Sequence, residues 1–188
     1  MRILIPVVWC LTITFSQAQT PASFIREAIE FRLTDKTFSV NGIYVFINNT
    51  DRPVTQGISY PFPVSLNLID TLHIVNMVTG QFLTYEVQSN AVHTTMSMAP
   101  RDTVLLNIFY RQRSFSDTLI YILTSTRKWK KPLQQAEFIL IADTSCEITG
   151  FSYPPDKMEV KETSNVYLWQ FHNFLPQHDF QIYLEEKP

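Results

Sequence analysis

Glycine and cysteine are both scarce, with 4 Gly and 2 Cys in 188 residues. So few glycines leave little material for the backbone loops that cradle phosphate. Neither a Gly-x-Ser-x-Gly elbow nor a His-Glu-x-x-His zinc signature occurs. Cys10 lies in the first apolar run, so Cys146 is the lone thiol of the remaining chain and an internal disulfide is excluded. Stability must therefore come from packing. After the N-terminus no apolar run reaches the ~18 residues of a membrane span, so no transmembrane anchor is expected. A formal net charge of −2 gives no global reason to expect nucleic acid as a partner. Stretches of helical spacing do not exceed about ten residues.

What is present is a large apolar fraction. Hydrophobic residues make up 45% and aromatic residues 13%, enough for a sizeable core and too much for a disordered chain. Residues 1–18 read as a signal peptide. Arg2 gives a positive start, Ile3–Phe15 is apolar, and Ser16-Gln17-Ala18 offers small residues for cleavage between Ala18 and Gln19. A lipid anchor on Cys10 is rejected, because Trp9 before it is too large for that processing site. The mature chain, residues 19–188, is expected to work in the periplasm or outside the cell.

The mature chain then reads as strand after strand, with side chains alternating between two faces at every second position. The clearest run is Val166–His172, with Tyr167, Trp169 and Phe171 on one side, followed by Phe180, Ile182 and Leu184 after the Pro176 connection. Ile29, Phe31 and Leu33 alternate with Glu30 and Arg32. Phe38–Asn48 follows, with Asn41-Gly42 either a tight turn or, as we prefer, a bulge in one long strand. Further strands are expected at Val54–Tyr60, Thr71–Val78, Gln81–Gln88, Val92–Met98, Thr103–Arg111, Thr118–Leu123, Phe138–Ala142, Glu147–Phe151 and Met158–Val160. A turn or two of helix fits within Ser125–Gln135. Eight to eleven short strands without intervening helices imply an all-β, antiparallel β-sandwich, immunoglobulin-like or related, with a barrel as the rival. One domain over 19–188 is expected, the alternative being two small sandwiches split near residues 99–102.

Three stretches resemble an uncharacterised family of exported bacterial β-sandwich proteins. They are Asn48–Pro53 with Tyr60-Pro-Phe-Pro63, then Tyr121–Thr124 with Trp129-Lys-Lys-Pro-Leu133 and Ala136, and finally Trp169–Phe174 with Pro176 and the Phe180–Leu184 strand. The chain departs from the pattern at Lys130-Lys131, where a Gly is expected near the Pro. The resemblance implies export and sandwich architecture and supplies no catalytic residues.

The candidate binding site is the basic run Arg127, Lys128, Trp129, Lys130 and Lys131, with Arg111 and Arg113 a strand earlier. Such a loop suits an anionic glycan, phosphate-bearing lipid or nucleic acid. The reading we favour has Trp129 plugging the core beneath the lysine stems. A metal site would draw on His172, His178 and Asp179, which a hairpin at Asn173–Gln177 could gather, but a third strong ligand is missing. A polar turn with Asp179 bonding backbone donors fits those residues as well. Cys146 is expected to be a small buried hydrophobe, the alternative being a nucleophile paired with His93. Carboxylates at Glu86, Asp102, Asp143, Glu147 and Glu159 could be paired by the fold for hydrolysis. Asn48-Asn49-Thr50 fits the glycan-acceptor pattern. The function expected is a non-catalytic exported module, needing no cofactor, that binds an envelope protein or glycan. The alternatives are a carbohydrate-binding module, with Tyr44, Tyr85, Tyr110 or Tyr183 on an open sheet face, and an extracellular hydrolase.

Overall fold

A computed structural model describes residues 21–113 and 116–185, so the signal-peptide reading and its Ala18–Gln19 junction lie outside the described residues. Among the described residues fourteen strands build two layers. The first layer is an eight-stranded sheet. Its order is β12 (Lys157–Val160), β13 (Ser164–Phe174), β10 (Leu133–Asp143), β1 (Ala22–Leu33), β2 (Phe38–Asn48), β8 (Thr103–Gln112), β4 (Ile69–Asn76) and β5 (Gln81–Phe82). The second layer is divided into two three-stranded sheets. One orders β11 (Ile148–Phe151), β14 (Phe180–Leu184) and β9 (Thr118–Tyr121). The other orders β3 (Val54–Pro61), β7 (Ala91–Met98) and β6 (Glu86–Gln88). Among the described residues all pairings are antiparallel except β1 with β10, and no barrel closes. The fold is all-β, as the alternation implied.

The alternation explains the layers. On β1, β2, β8 and β10, every second side chain is buried, including Phe31, Val40, Phe46, Leu106, Ile108, Phe138 and Leu140. Both small sheets cover that one face. Phe180 of β14 packs on Phe31 and Phe138, and Tyr60 of β3 packs on Tyr44 and Tyr110. Each fully buried side chain of this size contributes about 1.5–3 kcal/mol. Trp169, on the central run of β13, is fully buried against Phe180 and Phe151, and its indole N–H donates to the Tyr153 carbonyl at 2.9 Å. Strands from either side of residues 99–102 share the large sheet, because β8 lies between β2 and β4.

Two local expectations change. β2 runs straight through Asn41-Gly42 in unbroken register with both β1 and β8, so there is no bulge there. Even-numbered residues face the core throughout β2, and Ile43, Val45 and Ile47 stand half-buried on the outer face. Gly42 is needed for space: a Cβ on it would collide with the Tyr44 ring, which lies back over it. The bulge is instead in β1, where Ile25 is the extra residue between Phe24 and Arg26. The stretch Gln81–Gln88 is also two short strands rather than one, β5 and β6, in different sheets.

Candidate functional site

The divided second layer leaves a seam, and a cavity of about 270 Å³ lies in it. Its floor comes from the large sheet, with Phe24 and Glu27 of β1, Tyr44 and Phe46 of β2, and Ile108 of β8. One wall is β3, from Gln56 to Tyr60. The other is Tyr121 of β9 and the 3-10 turn Thr124–Trp129, which contributes Ser125, Thr126, Lys128 and Trp129. The volume is at the low end for sites that hold small organic molecules.

Glu27 is the unusual member. The Ile25 bulge switches which parity of β1 faces inward, from Ala22 and Phe24 to Glu27, Ile29, Phe31 and Leu33. Bulges re-aim side chains in this way. Glu27 is thereby turned into the core with 0% exposure, opposite Tyr44 in the strand pair. The Tyr121 hydroxyl donates to its Oε2 at 3.5 Å, and its Oε1 has no hydrogen-bond partner among the described residues. The Tyr44 hydroxyl donates to Tyr60 Oη at 3.0 Å and lies 3.0 Å from Tyr121 Oη. Three phenols and one carboxyl thus form a single polar chain inside an aromatic shell.

Burial sets the protonation of this chain. It pushes the Glu27 carboxyl up to about 8, offset in part by the Tyr121 hydrogen bond. Burial likewise raises Tyr44, Tyr60 and Tyr121 above the usual phenol range, so all three stay protonated. At neutral pH the empty site therefore holds a mostly neutral carboxyl. The apolar part of the lining is ring surface. Phe24 stacks on Phe46 at 4.9 Å, and Trp129 meets Phe46 at 5.3 Å and Phe24 at 6.1 Å.

The basic run is divided by this geometry. Trp129 is half-buried and lines the cavity, while Lys128 lines it from an exposed position. Arg127, Lys130 and Lys131 are exposed. Lys130 ends the turn at φ 58°, the left-handed conformation in which a Gly would be unstrained. Arg111 and Arg113 do not join the run, because both bind Asp70, with Arg111 Nε at 2.9 Å.

The other sequence candidates separate. β13 and β14 do not form a hairpin: β13 lies between β10 and β12, and β14 between β9 and β11 in the other layer. His172 therefore pairs with Gln135 on the large sheet, while His178 stacks on Tyr153 at 4.2 Å. Asp179 accepts from Thr124 N–H at 2.9 Å and its hydroxyl at 2.7 Å. Among the described residues no three His, Cys, Asp or Glu side chains are grouped for a metal. Cys146 is buried in the turn after β10, whereas His93 lies on β7 of the other small sheet, opposite Ser59 and Glu86. Of the candidate carboxylates, Glu147 stands beside Glu185 on the surface and raises its pKa, Glu159 binds Lys157, and Asp102 accepts from Thr103 N–H. Tyr44 and Tyr110 are buried, not on an open face, so they cannot form a glycan platform. Asn48 is fully buried, its amide N–H groups donating to the Arg52 and Ala99 carbonyls at 2.7 Å, which removes it as a glycan acceptor in the folded chain.

Sequence reasoning missed Glu27. Its signal was parity: Glu27 shares the odd positions of Ile29, Phe31 and Leu33, and extending that strand by one step places a carboxylate on the apolar side.

No protein-family model matches the chain, and no curated protein is significantly similar to it, which is consistent with the resemblance to an uncharacterised family. Solved structures do share its fold. A Legionella pneumophila protein provisionally described as nutrient-binding superposes with a TM-score of 0.72 at 16% identity, over 88% of this chain and 67% of its own. A provisionally assigned protease from Parabacteroides distasonis gives a TM-score of 0.56 at 9% identity, over 91% of this chain and 41% of its own. For an M1 zinc metallopeptidase from Deinococcus radiodurans the TM-score is 0.53 at 8% identity, over 87% of this chain and 42% of its own. This chain therefore spans about two-fifths of those last two proteins. At these identities the likeness is one of fold, all-β and two-layered, and it places this chain beside a provisionally nutrient-binding protein in architecture alone.

Proposed function

We propose that this chain is an exported, non-catalytic binding module that takes a small organic ligand into the seam cavity, in the periplasm or outside the cell. One observation carries the reading: Glu27, which lines the cavity together with Trp129 and Lys128, has a fully buried carboxyl oxygen with no hydrogen-bond partner among the described residues. Buried polar groups are nearly always satisfied, and leaving one open costs about 1–3 kcal/mol, so such a group is retained where something else satisfies it. The fold shared with a provisionally nutrient-binding protein agrees with this reading. So does the lining: Glu27 is the one carboxylate there among the described residues, where hydrolysis by paired carboxylates needs two.

The test is a thermal-denaturation screen of residues 19–188 against small amphipathic compounds, repeated on Gln56→Trp, which adds a bulky ring to the cavity wall to plug it. Ligand raises Tm by mass action in the parent protein and not in the plugged variant. A screen without a shift, or equal shifts in both proteins, would count against the cavity.

A second reading, an interface for an envelope protein, has its own observation. Met77, Val78 and Phe82 on the β4–β5 hairpin are 48%, 62% and 69% exposed, beside the edge strand of the large sheet. Exposed apolar side chains at a sheet edge suit a protein partner. Capture of the same envelope protein by the parent chain and by Val78→Asp/Phe82→Glu would dismiss it.

A further inference from the structure

We infer that the seam cavity selects an organic cation, a small primary or secondary alkylamine, with its ammonium on Glu27 and its alkyl chain against the rings of Phe46 and Trp129. This rests on the small-ligand reading above and adds the chemical class. The first reason is the unfilled position. Glu27 Oε1 accepts from nothing among the described residues, so an incoming N–H has an acceptor waiting. The Tyr44 and Tyr121 hydroxyl hydrogens are already committed, to Tyr60 Oη and to Oε2.

The second reason is the sign of the charge. Among the described residues Glu27 is the cavity's one acidic group, no arginine lines it, and the one cation that does, Lys128, is exposed to solvent. An ammonium placed against Oε1 would meet a carboxylate in a site with little water, where the pair attracts more strongly than at the surface. Ring faces add to this, because the π faces of Tyr44, Tyr60 and Trp129 also attract cations. A ligand carboxylate finds the opposite, a buried acid that must then stay neutral. A neutral alcohol can hydrogen-bond Oε1 but gains neither the charge pair nor the ring contribution.

The third reason is size. About 270 Å³ walled by Phe24, Phe46, Ile58 and Ile108 suits a short alkyl chain rather than a peptide or a polysaccharide. When the ammonium binds, Glu27 gives its proton to solvent and the carboxylate pairs with R–NH3⁺, so proton and charge balance.

The experiment is isothermal calorimetry of the mature protein with n-hexylamine, n-hexanol and hexanoate near neutral pH, on the parent chain and on Glu27→Gln. Glutamine is isosteric with the neutral carboxyl, and its thermal unfolding is recorded beside each titration as the control for folding. Hexylamine is expected to bind roughly 10-fold or more tighter than hexanol, the advantage of one charge-assisted hydrogen bond. Glu27→Gln is expected to erase that advantage while keeping the weaker hexanol binding. Equal binding of all three compounds, or amine preference surviving in a folded Glu27→Gln, overturns the cation inference and leaves the cavity reading standing. No binding of any compound overturns both.

Discussion

Replacing Glu27 by Gln should flatten part of the pH dependence of stability. In the folded chain the carboxyl holds its proton up to about 8, whereas the exposed group of the unfolded chain loses it near 4.5. Below 4.5 both states are protonated and Glu27 adds no pH dependence. Between 4.5 and about 8 the folded state carries a proton that the unfolded state has released, so stability falls as pH rises. At 1.36 kcal/mol per pH unit, that interval is worth about 5 kcal/mol, a large share of a domain's total stability. Above it the slope from this group ends. The assay is urea denaturation of parent and Glu27→Gln from pH 4.5 to 9. Other titrating groups, including Asp70 with its two arginines, are common to both proteins and cancel in the difference. The difference in unfolding free energy should move toward the variant by several kcal/mol across the interval. Parallel curves would refute the buried, mostly neutral carboxyl.

Other expectations follow from packing and hydrogen bonding. Gly42→Ala should cost about 1–3 kcal/mol in thermal or chemical denaturation, because its Cβ displaces a buried Tyr44 ring held by two hydroxyl contacts. Asn48→Ala should cost about 3 kcal/mol, since it strands the Arg52 and Ala99 carbonyls and the Thr50 N–H, and chemical denaturation will read it. Charge reversal of Lys130 and Lys131 together, both exposed, should leave unfolding free energy within about 0.5 kcal/mol and ligand affinity unchanged. A loss of binding in that variant would return the site to the basic run.

Local alternation made most strands legible in the sequence, because a period of two is imposed by each pleat wherever one face is buried. The Trp169 run needed nothing more. Longer-range features were hidden. The parallel pairing of β1 with β10 joins segments about a hundred residues apart and leaves no periodic trace in either. β13 and β14 looked like a hairpin because both are apolar and near in sequence, yet the chain between them crosses from one layer to the other. Asn41-Gly42 looked like a bulge because the outer face of β2 carries Ile43, Val45 and Ile47, whose hydrophobicity masked the true inward parity of Tyr44 and Phe46. The candidate site was half legible. Trp129 and Lys128 were singled out for their charge and aromatic character, and both line the cavity. Glu27 was not, because a charged side chain at the start of the Ile29–Leu33 run reads as the strand's solvent end even though its odd position matches the buried face.

A crystal of residues 19–188 soaked with n-hexylamine tests the cavity most directly. The expected difference map shows the amine nitrogen within hydrogen-bond reach of Glu27 Oε1 and the alkyl chain against Trp129. Solvent alone in the seam at saturating amine, or amine bound elsewhere on the surface, would contradict the site.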